Sequence, residues 1–251
     1  MQRLKDETIE KVNKEIADWQ YMKDLPAEWH GFKLDRTTEI SKDSYDLYRY
    51  VNESLHKSAT IYFHEETHEY KVRLKIGLIE FCRIEFITAN IEVFEKLLKN
   101  QFEQVLMDMV EFNPKSLSSI VLDKKITTWE TGNKLPETVE GFHLFISPAQ
   151  PVKINNGSYI VIDYVDFSLE SSFTVYYNIY RDEFFAEARI WNIPDVNYDF
   201  DSNELSELEA KMHQHFIPRL IDIRTRAEKE AAARAATEAK QAEDEQPVWL
   251  L

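Results

Sequence analysis

Residues 14–34, KEIADWQYMKDLPAEWHGFKL, align without a gap on residues 124–144, KKITTWETGNKLPETVEGFHL. Lys14/Lys124, Ile16/Ile126, Trp19/Trp129, Leu25/Leu135, Pro26/Pro136, Gly31/Gly141, Phe32/Phe142 and Leu34/Leu144 are identical at one spacing of 110 residues. The chain holds only five glycines and five tryptophans, so one of each falling into register is not a compositional accident. Downstream the spacing becomes 114, and YVNESLHKSATIYF (50–63) lies over YVDFSLESSFTVYY (164–177). The same spacing carries Ile76 onto Ile190, Phe94 onto Leu208, Leu98 onto Met212, Phe102 onto Phe216 and Leu106 onto Leu220. A match over about one hundred residues per copy is a repeated domain and not a short solenoid unit.

Each copy carries the same coarse pattern. A first helix is expected over Glu7–Tyr21 and again over Ser116–Trp129, closed by a Leu-Pro step, because proline disfavours helical geometry at the residue before it. Period-two alternation then predicts strands in GFKL, YDLYRYV, SATIYFH, EYKVRLKI and LIEFCRIEF, and in GFHLFI, SYIVIDYV, SFTVYYNIY and EFFAEARIW. A closing helix follows, with Ile91, Phe94, Leu97, Leu98, Phe102, Val105 and Leu106 at helical spacing, answered by Leu205, Leu208, Met212, Phe216 and Leu220. The expected fold is α+β: two modules, residues 1–113 and 114–223, each an antiparallel sheet of four or five strands covered on one face by helices. Residues 224–251 form a separate tail.

The motif His64-Glu65-Glu66-Thr67-His68 spells H-E-x-x-H, the zinc signature of many metalloproteases. That chemistry needs two histidines projecting from one face of a helix, with the glutamate between them as general base. Here the motif bridges two alternating strands, and at a spacing of 114 it falls on Asn178-Ile179-Tyr180-Arg181-Asp182, the turn of the second copy. It is therefore read as a hairpin turn, and no metal or other cofactor is expected.

The remaining chemistry-bearing residues form no converging set. Cys82 is the sole cysteine, which excludes an internal disulfide, and its place in an alternating strand reads as a small buried hydrophobe. His213 and His215 are two apart on a helix and point in different directions. Asp163 and Asp166 correspond to Arg49 and Asn52 in the first copy and have no adjacent base or nucleophile in the sequence. Five glycines leave no phosphate-cradling loop. The expectation is a protein that is not an enzyme.

With 30 Lys+Arg against 45 Asp+Glu the formal charge is −15, which disfavours unspecific binding to a phosphate backbone. The opening MQRLKDETIEKVNKEI has neither an apolar signal core nor transit-peptide character, and no apolar run is long enough to span a bilayer. A soluble, cytoplasmic protein without a membrane partner is expected.

The tail RTRAEKEAAARAATEAKQAEDEQPVWLL begins as alanine with alternating charges, a strong helix former without an apolar stripe. It is either a solvated extension of the preceding helix or a spacer. It ends on Gln246-Pro247-Val248-Trp249-Leu250-Leu251, an apolar peptide directly after an acidic run. In this arrangement it is similar to the acidic, hydrophobically capped tails of bacterial and phage single-stranded-DNA-binding proteins. Two readings of function follow. The first is a protein-binding adaptor, chaperone-like or assembly component whose Trp249, Leu250 and Leu251 contact a protein partner. The second is a single-stranded nucleic-acid binder that stacks bases on Tyr48, Tyr50, Tyr62, Tyr164 and Tyr176, which requires Lys33, Arg49, Lys71, Arg73 and Lys75 to share a face.

Overall fold

The computed structural model describes residues 5–41, 43–155 and 157–244. The chain divides into two compact units, Met1–Ser116 and Leu117–Leu251, each built around its own antiparallel sheet with helices.

In the first unit, α1 (Asp6–Ala17) and a short α2 (Gln20–Lys23) precede β1 (Glu28–Trp29), β2 (Phe32–Asp35), β3 (Glu39–Ile40), β4 (Ser44–Asn52), β5 (Lys57–His64), β6 (Glu69–Ile76) and β7 (Ile79–Cys82). The order across the sheet is β1-β2-β4-β5-β6-β7, with β3 also paired to β4. A closing helix follows as α3 (Ile91–Leu97), a π-helical stretch over Leu98–Phe102 and α4 (Glu103–Val110). Its apolar stripe packs on the inward side chains of the sheet: Phe94 stacks on Tyr70 at 5.4 Å between ring centres, and Phe102 meets Tyr50 at 5.9 Å.

The second unit repeats the order. After α5 (Ser119–Asp123) and two 3-10 turns come β8 (Thr138–Val139), β9 (Phe142–Ile146), β10 (Val152–Lys153), β11 (Ser158–Asp166), β12 (Ser171–Asn178), β13 (Glu183–Ile190) and β14 (Ile193–Val196), then α6 (Leu205–Asp244). The sheet order is β14-β13-β12-β11-β9-β8, with β10 on β11. Phe216 fills the place of Phe102, 5.0 Å from Tyr164 and 5.4 Å from Phe173. Truncating either phenylalanine to alanine removes a core ring and costs about 3–5 kcal/mol.

Local details recur at corresponding positions. His30 and Gly31 both have positive φ (49° and 79°), as do Glu140 and Gly141 (49° and 80°), which gives each β1–β2-type hairpin a two-residue turn whose twist suits its strands. Tyr50 donates to the Pro26 carbonyl at 2.7 Å, and Tyr164 to that of Pro136 at 2.6 Å. Isolated bridges join Tyr70 to Thr88 and Phe184 to Ser202.

The first helices differ from the expectation. The helix expected over Glu7–Tyr21 breaks after Ala17, and the one expected over Ser116–Trp129 shrinks to Ser119–Asp123 followed by 3-10 turns at Ile126–Thr128 and Gly132–Lys134. In the first unit the break falls just before Trp19, whereas in the second the helix already ends at Asp123, where Lys125 takes a left-handed backbone (φ 57°), and Trp129 follows a further 3-10 turn. Trp19 and Trp129 take extended ψ values (95° and 107°), and each indole donates to a glutamate of the closing helix, Glu95 and Glu209, at 2.6 Å. The strand expected over LIEFCRIEF also ends early, at Cys82, and becomes a 3-10 turn at Ile84–Phe86.

Candidate functional site

The sequence directs attention first to the β5–β6 hairpin. His64 ends β5, where its Nδ1 lies 3.1 Å from Thr67 Oγ1 and its Nε2 3.8 Å from an Asp43 carboxylate oxygen. His68 has a left-handed backbone (φ 53°) and turns towards Phe63, an inward residue, whereas His64 lies near Tyr62 on the opposite sheet face. Glu65 is folded inward with Lys5 as an ion-pair neighbour at 3.7 Å. The three side chains do not converge. Among the described residues no group of three or more His, Cys, Asp or Glu is placed to hold a metal ion. Asp182, at the same place in the β12–β13 turn, shares the left-handed backbone (φ 49°).

Asp163 and Asp166 also diverge. Asp163 pairs with Thr174 and faces away from the helices, while Asp166 pairs with Ser171 on the other face. Asp163 is fully buried and accepts a 2.7 Å bond from Thr174 Oγ1, while its second oxygen has no hydrogen bond. Burial pushes its carboxyl up to about 7, against the Thr174 bond and the Arg189 charge. Asp166 holds the β11–β12 turn by accepting from the Ser168 and Leu169 amides and the Ser168 hydroxyl, and its other oxygen takes Arg224 at 2.7 Å. Burial acts against its charged form, but these bonds prevail and the carboxyl lies below its ordinary value.

Cys82 is half-buried rather than fully buried, because β7 is an edge strand, and its Sγ lies 2.9 Å from Tyr62 Oη. His213 is exposed on α6, and His215 is half-buried with its ring 6.2 Å from Phe200.

All five tyrosines proposed as stacking residues are buried: Tyr48, Tyr50 and Tyr164 are 0% exposed, Tyr176 4% and Tyr62 5%. Tyr48 lies 6.5 Å from Trp19 between ring centres, Tyr176 is stacked on Phe185 at 5.1 Å, and Arg73 covers Tyr62 at 4.9 Å. Rings so enclosed present no open face to a base. Lys33, Arg49, Lys71, Arg73 and Lys75 do share one face of the first sheet, the one turned from the helices, by their strand register. That face is not basic in sum, since Asp35, Asp46, Glu69 and Glu80 stand among them. Arg49 bonds Asp35 and Arg73 bonds Asp46, both at 2.8 Å, and Lys71 lies 3.2 Å from Glu69.

The feature that separates the units is α6. The first closing helix stops at Val110, where the Lys57 ammonium caps the Met109 carbonyl at 2.5 Å and the chain runs into Asn113-Pro114. By contrast, α6 is 40 residues long. It does not break at residue 224, where the tail was expected to begin: Ile223 and Ala227 are fully buried. Beyond Ala227, every side chain from Glu228 to Thr237 is exposed except the half-buried Ala231.

The root of this extension is fastened by four arginines. Arg219 and Arg226 both bond the Asp195 carboxylate of β14, at 2.7 and 2.6 Å, and they also share Asp222. Arg226 foremost, and then Arg219, holds Asp195 below the ordinary carboxylate range. Arg224 reaches Asp166, the Glu140 carbonyl and the Phe142 ring. Arg234 lies 4.4 Å over the Trp191 ring, and the Trp191 indole donates to the Ala227 carbonyl at 2.9 Å. Gly141 leaves the room that Arg224 needs: a Cβ there would lie 2.0 Å from the guanidinium. None of these arginines is singled out by sequence pattern, because arginine beside an alanine run reads as a solvated helix face. The one available signal is Trp191, which stands in a turn where the first unit has Gly77.

Trp249, Leu250 and Leu251 lie outside the described residues. Among the described residues no helix is long and apolar enough to cross a membrane. No family model matches the chain, and neither a curated protein nor a solved structure does.

Proposed function

We propose that this chain is a noncatalytic protein-binding component, an adaptor, chaperone-like or assembly protein, made by duplication of one α+β module. In this reading its C-terminal peptide, with Trp249, Leu250 and Leu251, contacts a protein partner. The duplication is supported by the shared strand order, by the paired Trp–Glu and Tyr–Pro bonds, and by bridges that recur 114 residues apart.

The observation that carries the binding role is the extension of α6. From Ala227, the last fully buried side chain among those described, which run to Thr237, to Asp244 the helix advances by seventeen positions (244 − 227), about 25 Å. The exposed part is rich in alanine and braced by Glu230–Arg234 at 3.0 Å, so it is suited to act as a stiff spacer. A spacer of this kind ending in an acidic run and then Val-Trp-Leu-Leu displays an apolar peptide that gains by burial against another surface. Replacing Trp249, Leu250 and Leu251 with alanine should leave the far-UV circular dichroism and melting unchanged and abolish partner capture. Retained capture by the triple variant sinks the reading.

Single-stranded nucleic-acid binding keeps one supporting observation, the shared face of five basic residues. Their acid neighbours and the enclosed tyrosines weigh against it. Anisotropy of a labelled single-stranded oligonucleotide tests it: saturable binding that weakens as salt rises would restore it over protein binding.

A further inference from the structure

We propose that the β13–β14 turn is a latch: Trp191 clasps α6 at Ala227 and Arg234 and thereby fixes the direction in which the helix leaves its unit. Three observations converge on it. Trp191 and Asn192 form a two-residue turn between Ile190 and Ile193 with φ of 51° and 60°. The left-handed region suits glycine or asparagine and strains a bulky residue, so tryptophan is the wrong choice for the turn alone. The corresponding turn of the first sheet, between Ile76 and Ile79, opens with Gly77 at φ 62°, and the first closing helix has no extension to hold.

The strained side chain makes contacts that no turn requires. Its indole N–H reaches the Ala227 carbonyl at 2.9 Å, and the Arg234 guanidinium caps its ring at 4.4 Å, two turns of helix further out. The Ala227 carbonyl keeps a second lone pair for the helix ladder, so the indole adds a bond without breaking one. Asp195, on the strand that leaves the same turn, holds Arg219 and Arg226 on the adjoining flank of the helix. The turn and its strand thus grip α6 from Arg219 to Arg234, across the boundary between its packed and exposed parts.

The latch rests on the proposed function only for its purpose, the aiming of the terminal peptide; the contacts stand without a partner. Hydrogen exchange read by mass spectrometry on the full chain tests it, comparing wild type with Trp191→Gly and Arg234→Ala. Trp191→Gly relieves the turn as Gly77 does and removes both contacts. Exchange in residues 228–237 should become about tenfold faster while peptides from β11–β13 stay unchanged. Arg234→Ala, which removes only the cation–π contact, should accelerate the same peptide about two- to threefold. Unchanged exchange over 228–237 in both variants overturns the latch. If Trp191→Gly also loosens the sheet, Arg234→Ala decides alone, and the absence of any acceleration overturns the proposal. Failure here leaves the binding role of the terminal peptide standing, and loss of that role leaves the latch standing.

Discussion

Asp163 should make the second unit less stable as pH rises through neutrality. Its carboxyl is fully buried, has one hydrogen bond, from Thr174, and titrates at about 7 instead of 3.8 because burial penalises its charged form. The sign follows from proton binding: between pH 3.8 and about 7 the folded chain retains a proton that the unfolded chain has released, so rising pH favours unfolding. The contribution is complete below the lower value and is lost as pH climbs through the higher one. The displacement of about three pH units is worth about 4 kcal/mol in all, of which about 3 kcal/mol falls between pH 5 and pH 8. Asp163→Asn keeps the acceptor for Thr174 but cannot ionise, and its amide adds a buried donor at a cost of about 1–3 kcal/mol. The variant should therefore be less stable than wild type at pH 5 and equal or more stable at pH 8. Urea titrations at both pH values, followed by hydrogen exchange in peptides covering 158–178, read the second sheet separately from the first. A pH dependence that is the same in wild type and variant refutes the argument, since no other change removes this titration.

Three further predictions follow from named contacts. Trp19→Phe and Trp129→Phe each delete one indole bond to a carboxylate, to Glu95 and Glu209, and should destabilise their own units by similar amounts, about 1–3 kcal/mol, in chemical denaturation; a large cost in one unit and none in the other argues against equivalent modules. Gly141→Ala meets both a left-handed backbone (φ 80°) and the Arg224 guanidinium, and should cost more than about 1 kcal/mol and weaken the Arg224–Asp166 pair, as judged by thermal melting at low and high salt. His64→Ala should leave the zinc content of protein equilibrated with the metal and dialysed unchanged at near zero; stoichiometric zinc lost in this variant would restore the H-E-x-x-H reading.

The long strands were legible because alternation survives in each segment, but each sheet holds seven strands instead of the expected four or five: β1, β3, β8 and β10 are two residues long, too short to show a period, and β14 carries Pro194. Periodicity alone does not show that Trp19 and Trp129 turn extended to bond a glutamate some eighty residues further on, Glu95 and Glu209, nor that the second helix stops at Asp123 before a left-handed Lys125. The tyrosines show a second limit. Tyr50 and Tyr164 occupy the helix-facing side and Tyr62 and Tyr176 the other, yet all four are buried, so alternation does not tell an open face from a closed one. The clasp around α6 was illegible for a third reason: its partners, Asp195, Asp166 and Trp191, lie 24 to 58 residues from their arginines and follow no period. Only the alignment of the two units hints at it, by setting Trp191 against Gly77.

The central claim is that the terminal peptide makes the partner contact, and crosslinking from its own position tests it most directly. A photoreactive amino acid placed at residue 249 of the full chain, activated in extract from the source cells, should yield a discrete crosslinked protein. That product should disappear when Leu250 and Leu251 are both alanine. No crosslink above background, or one that persists in the double variant, contradicts the account.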